Sequence, residues 1–239
     1  MTHNRPRGLD GERARRLLAK ATGPFSVAEK VEILSGLRLG APYEANGLVG
    51  SATTPELFTA SLESYDCVTY VETVLALARS ASAGGFAEEL RRIRYGGGRV
   101  DWARRNHYMT GWIRANARAG VVRTVPCGDL AVRKERLLDV VPGLPAQRAR
   151  FTCVPKRRAK ALSPRLRTGD LVFFASTRSR LDVFHCGILL EGDGRWRMRH
   201  ASRSRGGVVE QDLAEFLAAN RMAGVLVVRP LEKGRETGR

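Results

Sequence analysis

Apolar positions recur at helical spacing through the first half of the chain and gather into short runs towards its end. Val27 to Leu37 carries the helical period and stops at Arg38-Leu39-Gly40, and Gly40 to Tyr43 reads as a turn ahead of a loop over Gly47 to Pro55. From Cys67 onward, Tyr70, Val71, Val74, Leu75 and Ala78 form one apolar face, which predicts a helix to about Ser82. Phe86 to Tyr95 predicts another helix, broken by Gly96-Gly97-Gly98, and Asp101 to Ala119 is helical in part. Then the period changes. Val121 to Val125, a stretch near Arg150 to Val154, and the apolar run Gly169 to Ala175 read as strands. Val183 to Leu190 and Arg195 to His200 are strands, the second alternating arginines with Trp196, Met198 and His200. Gln211 to Asn220 is a helix with Leu213, Phe216 and Leu217 inward, and Gly224 to Arg229 a closing strand. Helices first and strands late predict an α+β fold with an antiparallel sheet.

The chemistry sits on two of these elements. Asp66 is a good N-cap, since its carboxylate can accept an unpaired first-turn amide. Cys67 follows at a helix end where backbone N–H groups favour thiolate over thiol and can hold an oxyanion. Downstream, Glu191-Gly192-Asp193-Gly194 is a strong turn signal between two strands. A tight hairpin centred on Gly192-Asp193 sets His185 directly opposite His200 on one face, and a one-residue slip would separate them. A thiol needs a base, and the base needs a third group to hold its tautomer. His185 takes the first role and His200 the second. Cys186 should point away from His185, into the other face.

Length and composition bound the rest. At 239 residues and 43% hydrophobic, one domain with a full core is the simplest count. The division read from the chain is a basic lead-in over 1–22, helical from about Asp10, a single catalytic domain over 23–231, and a tail over 232–239. No apolar run approaches the roughly 20 residues needed to span a bilayer. Met1 to Thr22 lacks the apolar core of a signal peptide, so the expectation is a cytoplasmic protein as written, or a cell-envelope one if the chain is a processed fragment. The net charge of +17, from 41 basic and 24 acidic residues, suits an anionic partner. Arg5–Lys20 and Lys156–Arg167 are the denser basic stretches, and neither interleaves aromatics as base stacking needs, so no specific nucleic acid is expected. The four cysteines, Cys67, Cys127, Cys153 and Cys186, form no Cys-x-x-Cys pair, which argues against a zinc cage; no cofactor is expected, and Cys127 and Cys153 default to free thiols.

Asp66-Cys67, Gly169-Asp170-Leu171-Val172-Phe173-Phe174, His185-Cys186-Gly187-Ile188 and His200-Ala201-Ser202 resemble the NlpC/P60 cysteine peptidase superfamily. Within it, Leu39-Gly40-Ala41-Pro42-Tyr43, Tyr65 to Glu72, Asn106-His107-Tyr108-Met109 and Leu181 to His185 look like the DUF1460 branch, described as N-acetylmuramoyl-L-alanine amidase-like. The likeness covers about residues 27 to 230. It implies a papain-like α+β core, with the nucleophile helix packed on the antiparallel sheet, and a peptidoglycan or muropeptide substrate. It makes Cys67 the nucleophile, His185 the base and His200 the third member. It sets Tyr43 near the oxyanion, Asp66 against the substrate peptide, and His107 and Tyr108 in substrate binding. Cys186 departs from the pattern, standing where an aliphatic residue is usual.

The leading expectation is therefore a cysteine amidase that cleaves between N-acetylmuramic acid and L-alanine. An endopeptidase acting between D-glutamate and the diamino acid, and a thiol acyltransferase using a small amine, share the same residues. The non-enzyme alternative is a cationic polymer-binding module whose cysteine is incidental; it predicts steeply salt-dependent binding indifferent to Cys67→Ala. The oligomeric state is not encoded in any pattern found.

Overall fold

The computed structural model describes residues 6–234. The first and last few residues, including part of the 232–239 tail, lie outside the described residues. Six α-helices lead into or flank the strands: α1 Gly11–Lys20, α2 Val27–Gly36, α3 Cys67–Ala78, α4 Ala83–Arg94, α5 Met109–Arg118 and α6 Leu213–Ala219. The strands are β1 Val122–Thr124, β2 Val132–Leu138, β3 Gln147–Cys153, β4 Leu171–Ala175, β5 Val183–Gly192, β6 Arg195–Ser202, β7 Gly207–Asp212 and β8 Gly224–Pro230. Six strands make one antiparallel sheet in the order β1-β8-β4-β5-β6-β7, while β2 and β3 form a separate ribbon. The molecule is a mixed α+β fold, as the order of periods predicts.

The sheet is covered on both faces, and β4 shows why its run is apolar at every position. Leu171, Phe173 and Ala175 enter the main core with α3, whereas Val172 and Phe174 enter a second core with Phe216 of α6. Period-two alternation thus feeds two apolar layers instead of one. Buried Asp170, just ahead of β4, takes both Nε (2.7 Å) and an Nη (2.8 Å) of Arg229 on β8 and pins these two neighbouring strands.

α3 is the central helix. Every residue from Tyr70 to Ala78 is buried, and the helix packs against α2, α4 and β5. Its one internal acid, Glu72, accepts from Arg94 Nε of α4 at 2.7 Å and from Trp112 Nε1 of α5 at 3.1 Å. α1, inside the charged 1–22 stretch, sends Ala14, Leu17 and Leu18 into the same core. Asp10 caps it by accepting the Glu12 and Arg13 amides.

Four local expectations are corrected. α3 ends at Ala78 rather than near Ser82, where the Ser80 hydroxyl turns back to donate to the Ala76 carbonyl. β2 has no counterpart in the sequence reading, because Val132-Arg133-Lys134-Glu135-Arg136 is too charged to read as a strand. The helix expected from Gln211 starts at Leu213, since Asp212 caps it and the residues before belong to β7. Finally, the β5–β6 turn centres on Asp193-Gly194 and not on Gly192-Asp193. Both residues have positive φ (53° and 70°), the type I′ geometry that Asp-Gly favours. The ladder pairs Ile188 with Arg199 and Gly192 with Arg195, two residues away from the expected register.

Candidate active site

The register correction leaves the histidine pair intact because a two-residue shift preserves the face. Continued past Ile188–Arg199, it would set His185 opposite Ser202 and diagonal to His200. The rings close that diagonal: Nε2 of His185 lies 2.7 Å from Nδ1 of His200, with the ring planes at 87°. A second irregularity helps. The β4–β5 ladder slips between Phe174 and Ala175, so Phe174 pairs with His185 but Ala175 pairs with Val183, and Phe184 is the extra residue of a bulge. His185 leaves this bulge stacked near Phe174 (6.3 Å, 16°) and Phe216 (5.5 Å, 27°), two apolar planes that limit its tilt.

A contact between two imidazole nitrogens needs one N–H and one bare nitrogen. Burial, and then the neighbouring charge of His185, pull the His200 pKa down to about 4, so His200 is neutral near pH 7. In the tautomer consistent with a bare His185 Nδ1, Nε2 of His185 donates to His200 and Nδ1 is left for the sulfur. His200 then carries its own proton on Nε2. Among the described residues, that buried atom has no hydrogen bond of ordinary geometry, although the Gln211 side chain stands close enough to raise the ring's pKa.

Cys67 begins α3 behind a reciprocal cap. Asp66 accepts the Thr69 amide at 2.7 Å and the Thr69 hydroxyl at 2.8 Å, while the Asp66 amide donates to Thr69 Oγ1 at 2.9 Å. The Asp66 carbonyl takes the Tyr70 amide, which leaves the Cys67 and Val68 amides at the open end of the helix. The Cys67 thiol is held well below the ordinary thiol range. The first cause is a hydrogen bond from the Cys186 thiol; the hydrogen bond and charge of His185 act with it, against burial. Cys186, fully buried in the core against α3, has its sulfur 3.1 Å from the Cys67 carbonyl oxygen, the alternative acceptor for its single S–H, and its own thiol is pushed well up.

The Cys67 charge and burial together lift the Asp66 carboxyl to about 6, with burial the larger cause. Tyr43 is drawn in by backbone pairing of its stretch with Tyr65, where the Tyr65 amide donates to the Pro42 carbonyl and the Glu44 amide to the Tyr65 carbonyl, both at 3.0 Å. Burial, then the charges of Cys67 and Asp66, raise its phenol, so Tyr43 is neutral and within electrostatic reach of the sulfur. Cys67, His185, His200, Asp66 and Tyr43 thus form one group.

His107 and Tyr108 stand elsewhere, at the start of α5. His107 Nε2 meets the Trp102 carbonyl at 2.7 Å and its ring lies edge-on to Trp102. Tyr108 is buried against Leu138 and Ala149, its hydroxyl accepting from the Val141 amide at 3.3 Å. None of these contacts reaches Cys67 or His185. Both residues line a separate groove of about 490 Å³. Another cavity, of about 590 Å³ between α5, β1, β3 and β8, is lined by Cys127 and Cys153, but burial raises both thiols and no histidine lines it. Sequence reasoning missed Cys186 and Gln211 as members of the site. Cys186 was visible only as a departure from an aliphatic position, and Gln211 is legible only once β7 is known to pair with β6, which brings it to His200's face. Among the described residues, no group of three or more His, Cys, Asp or Glu is placed to hold a metal ion. No described helix is long and apolar enough to cross a membrane.

Comparison with known proteins adds a family. The family model AmiA-like, described as N-acetylmuramoyl-L-alanine amidase-like, matches residues 33–225. Among solved structures, a Legionella pneumophila protein of the DUF1460 family superposes with a TM-score of 0.80 at 19% identity, covering 92% of this chain and 94% of that one. An N-acetylmuramoyl-L-alanine amidase from Bacteroides uniformis superposes with a TM-score of 0.76 at 24% identity, covering 86% and 99%. At these identities the likeness is one of fold. A search of curated proteins finds no match.

Proposed function

This chain belongs to the AmiA-like, N-acetylmuramoyl-L-alanine amidase-like family, and on that premise we propose that it hydrolyses the amide between N-acetylmuramic acid and L-alanine in muropeptides, using Cys67 as nucleophile on a papain-like core of the NlpC/P60 kind. The observation that carries the reading is a helix-start thiol of lowered pKa beside an imidazole steadied at 2.7 Å by a second, neutral ring.

The mechanism follows from those groups. The Cys67 sulfur attacks the lactyl carbonyl carbon, and its proton resides on His185 Nδ1. His185 becomes an imidazolium whose Nε2–H points at His200 Nδ1. Neutral His200 stabilises that cation as a dipole and cannot itself be the proton's destination near pH 7, since its pKa is about 4. The Cys67 and Val68 amides and the Tyr43 hydroxyl are the donors near the developing oxyanion; loss of one such donor commonly costs about 10²–10³ in rate. His185 then gives its proton to the leaving amine of L-alanine, breaking the C–N bond. Water, deprotonated by His185, releases the muramyl carboxylate from the thioester.

Incubating purified muropeptides with the protein and with Cys67→Ala, and weighing the products, tests this. The expected products are a free peptide beginning with L-alanine and the intact muramic acid. Equal cleavage by both proteins would overturn cysteine catalysis. Products that keep the sugar on L-alanine and D-glutamate would move the cut to the endopeptidase position, and turnover dependent on an added amine would make the protein an acyltransferase. The N-acetylmuramoyl-L-alanine amidase-like family match favours the amidase over these two, and the charge of +17 suits an anionic wall polymer.

A further inference from the structure

We propose that Cys186 is a resolving thiol for Cys67, and that a peroxide converts the pair into a reversible Cys67–Cys186 disulfide that closes the site. The inference rests on the reading of Cys67 as a reactive thiolate and goes beyond it.

The geometry is specific to these two residues. β5 packs on α3, and Cys186 comes from the strand position that faces that helix, next to His185 on the opposite pleat. Its sulfur is 3.1 Å from the carbonyl oxygen of Cys67 itself, close enough for its thiol to act on the Cys67 pKa. A disulfide needs Cα atoms within about 7 Å and sulfurs that can be brought together without moving backbone. A thiol already in contact with the main chain of its partner residue, where β5 packs on α3, meets the spatial part of that demand. All four cysteines are free in the structure, so the thiols are available. An aliphatic residue at 186 would fill the same core space; a thiol there adds redox chemistry without being required for packing.

The steps balance. The Cys67 thiolate attacks a peroxide oxygen; the O–O bond breaks, the second oxygen leaves as hydroxide or alkoxide, and Cys67 becomes a sulfenic acid, two electrons having passed from sulfur to peroxide. The Cys186 sulfur then attacks the Cys67 sulfur, its proton passing to the departing hydroxide, which leaves as water. Overall, two thiols and one hydrogen peroxide give one disulfide and two waters. Cys186 is a poor nucleophile while Cys67 is ionised, because the hydrogen bond it makes to that sulfur is the first cause of its raised pKa. Oxidation of Cys67 to a neutral sulfenic acid removes that cause, so the resolving thiol is released when it is needed. The resulting bond occupies the nucleophile and shields it from irreversible oxidation to sulfinic acid.

The test treats the full chain with a small molar excess of hydrogen peroxide at pH 7, blocks free thiols and maps peptides by mass under non-reducing conditions. The expected product is a cross-link between the peptides holding Cys67 and Cys186, removed by dithiothreitol, with Cys127 and Cys153 still alkylated. Muropeptide cleavage should fall with cross-linking and return on reduction. In Cys186→Ala, and in the core-matched Cys186→Val, Cys67 should instead be trapped as a dimedone adduct and accumulate sulfinic acid about tenfold more than in the parent chain. Sulfinic Cys67 with unlinked Cys186 in the parent chain would overturn the pairing while leaving the thiolate reading intact. Cys67 inert to peroxide would overturn both. Cross-linking of Cys127 to Cys153 instead would overturn the pairing. The parent-chain map decides the matter even if both variants fail to fold, and it needs no assumption about which amide is cleaved.

Discussion

A carboxyl placed next to a thiolate works against the fold that holds it. Asp66 is lifted from 3.8 to about 6, so the native state favours its protonated form. The sign follows directly: this group contributes its stability below pH 4 and loses it as pH rises through 6. Above pH 6 the buried charge costs up to about 3 kcal/mol on the linkage relation, a net figure that already contains the opposing pull of the Thr69 amide and hydroxyl. Asn at this position can still accept the Thr69 amide but carries no charge. Asp66→Asn should therefore melt higher than the parent chain at pH 7.5, with the difference closing by pH 5. Thermal unfolding at the two pH values measures it, and a lower melting point at pH 7.5 would contradict the burial cost. The opposite slope comes from His200. Its pKa is depressed, so its contribution is present above 6.5 and fades as pH falls through about 4. Across the window from 6 to 4 the two groups act against each other. The cap and the thiol were both readable from Asp66-Cys67 in the sequence, because a cap is a local arrangement. The size and sign of their interaction depend on burial, which a linear pattern does not specify.

At the scale of elements, the site depends on α3 being held at one height and rotation against β5. That task falls to Glu72, buried and shared between Arg94 of α4 and Trp112 of α5, with Arg94 also donating to the Thr59 carbonyl at 2.6 Å. A buried pair of this kind is weak evidence of net stabilisation, but removing one member strands the other. Glu72→Ala should cost about 3–5 kcal/mol in a denaturant titration. Glu72→Leu should cost nearly as much, because Arg94 stays buried and unpaired in both. A loss below about 1 kcal/mol would mean that water or another acceptor replaces the carboxylate. Legibility at this scale was uneven for physical reasons. Helices α2 to α5 announce themselves by period. The β5–β6 hairpin announced itself by its turn, yet the register was missed by two residues because Gly192-Asp193 and Asp193-Gly194 are overlapping turn candidates. The pair survived since only odd slips change the face. β2 was hidden by its charge, and the bulge at Phe184 left no signature, since a bulge depends on the partner strand.

The whole molecule carries +17, and that charge acts at distances where no single contact matters. At 0.15 M ionic strength the screening length is about 8 Å, so the field of this chain reaches a polymer only near its surface; at 0.01 M it reaches about 30 Å. Such a field speeds encounter with an anionic substrate and leaves the chemistry of a bound one unchanged. The two effects separate in kinetics. With a long, anionic glycan–peptide polymer as substrate, kcat/KM should fall steeply between 0.05 and 0.3 M salt, by about tenfold on the range expected for steered association, while kcat stays within about twofold. With a short disaccharide–peptide carrying few carboxylates the fall in kcat/KM should be much shallower. If both substrates lose kcat in parallel, salt is acting on the site itself, most directly on the Cys67–His185–His200 group. If neither responds, the basic surface has no part in substrate capture, and the arginine excess reflects something other than the anionic partner inferred for it.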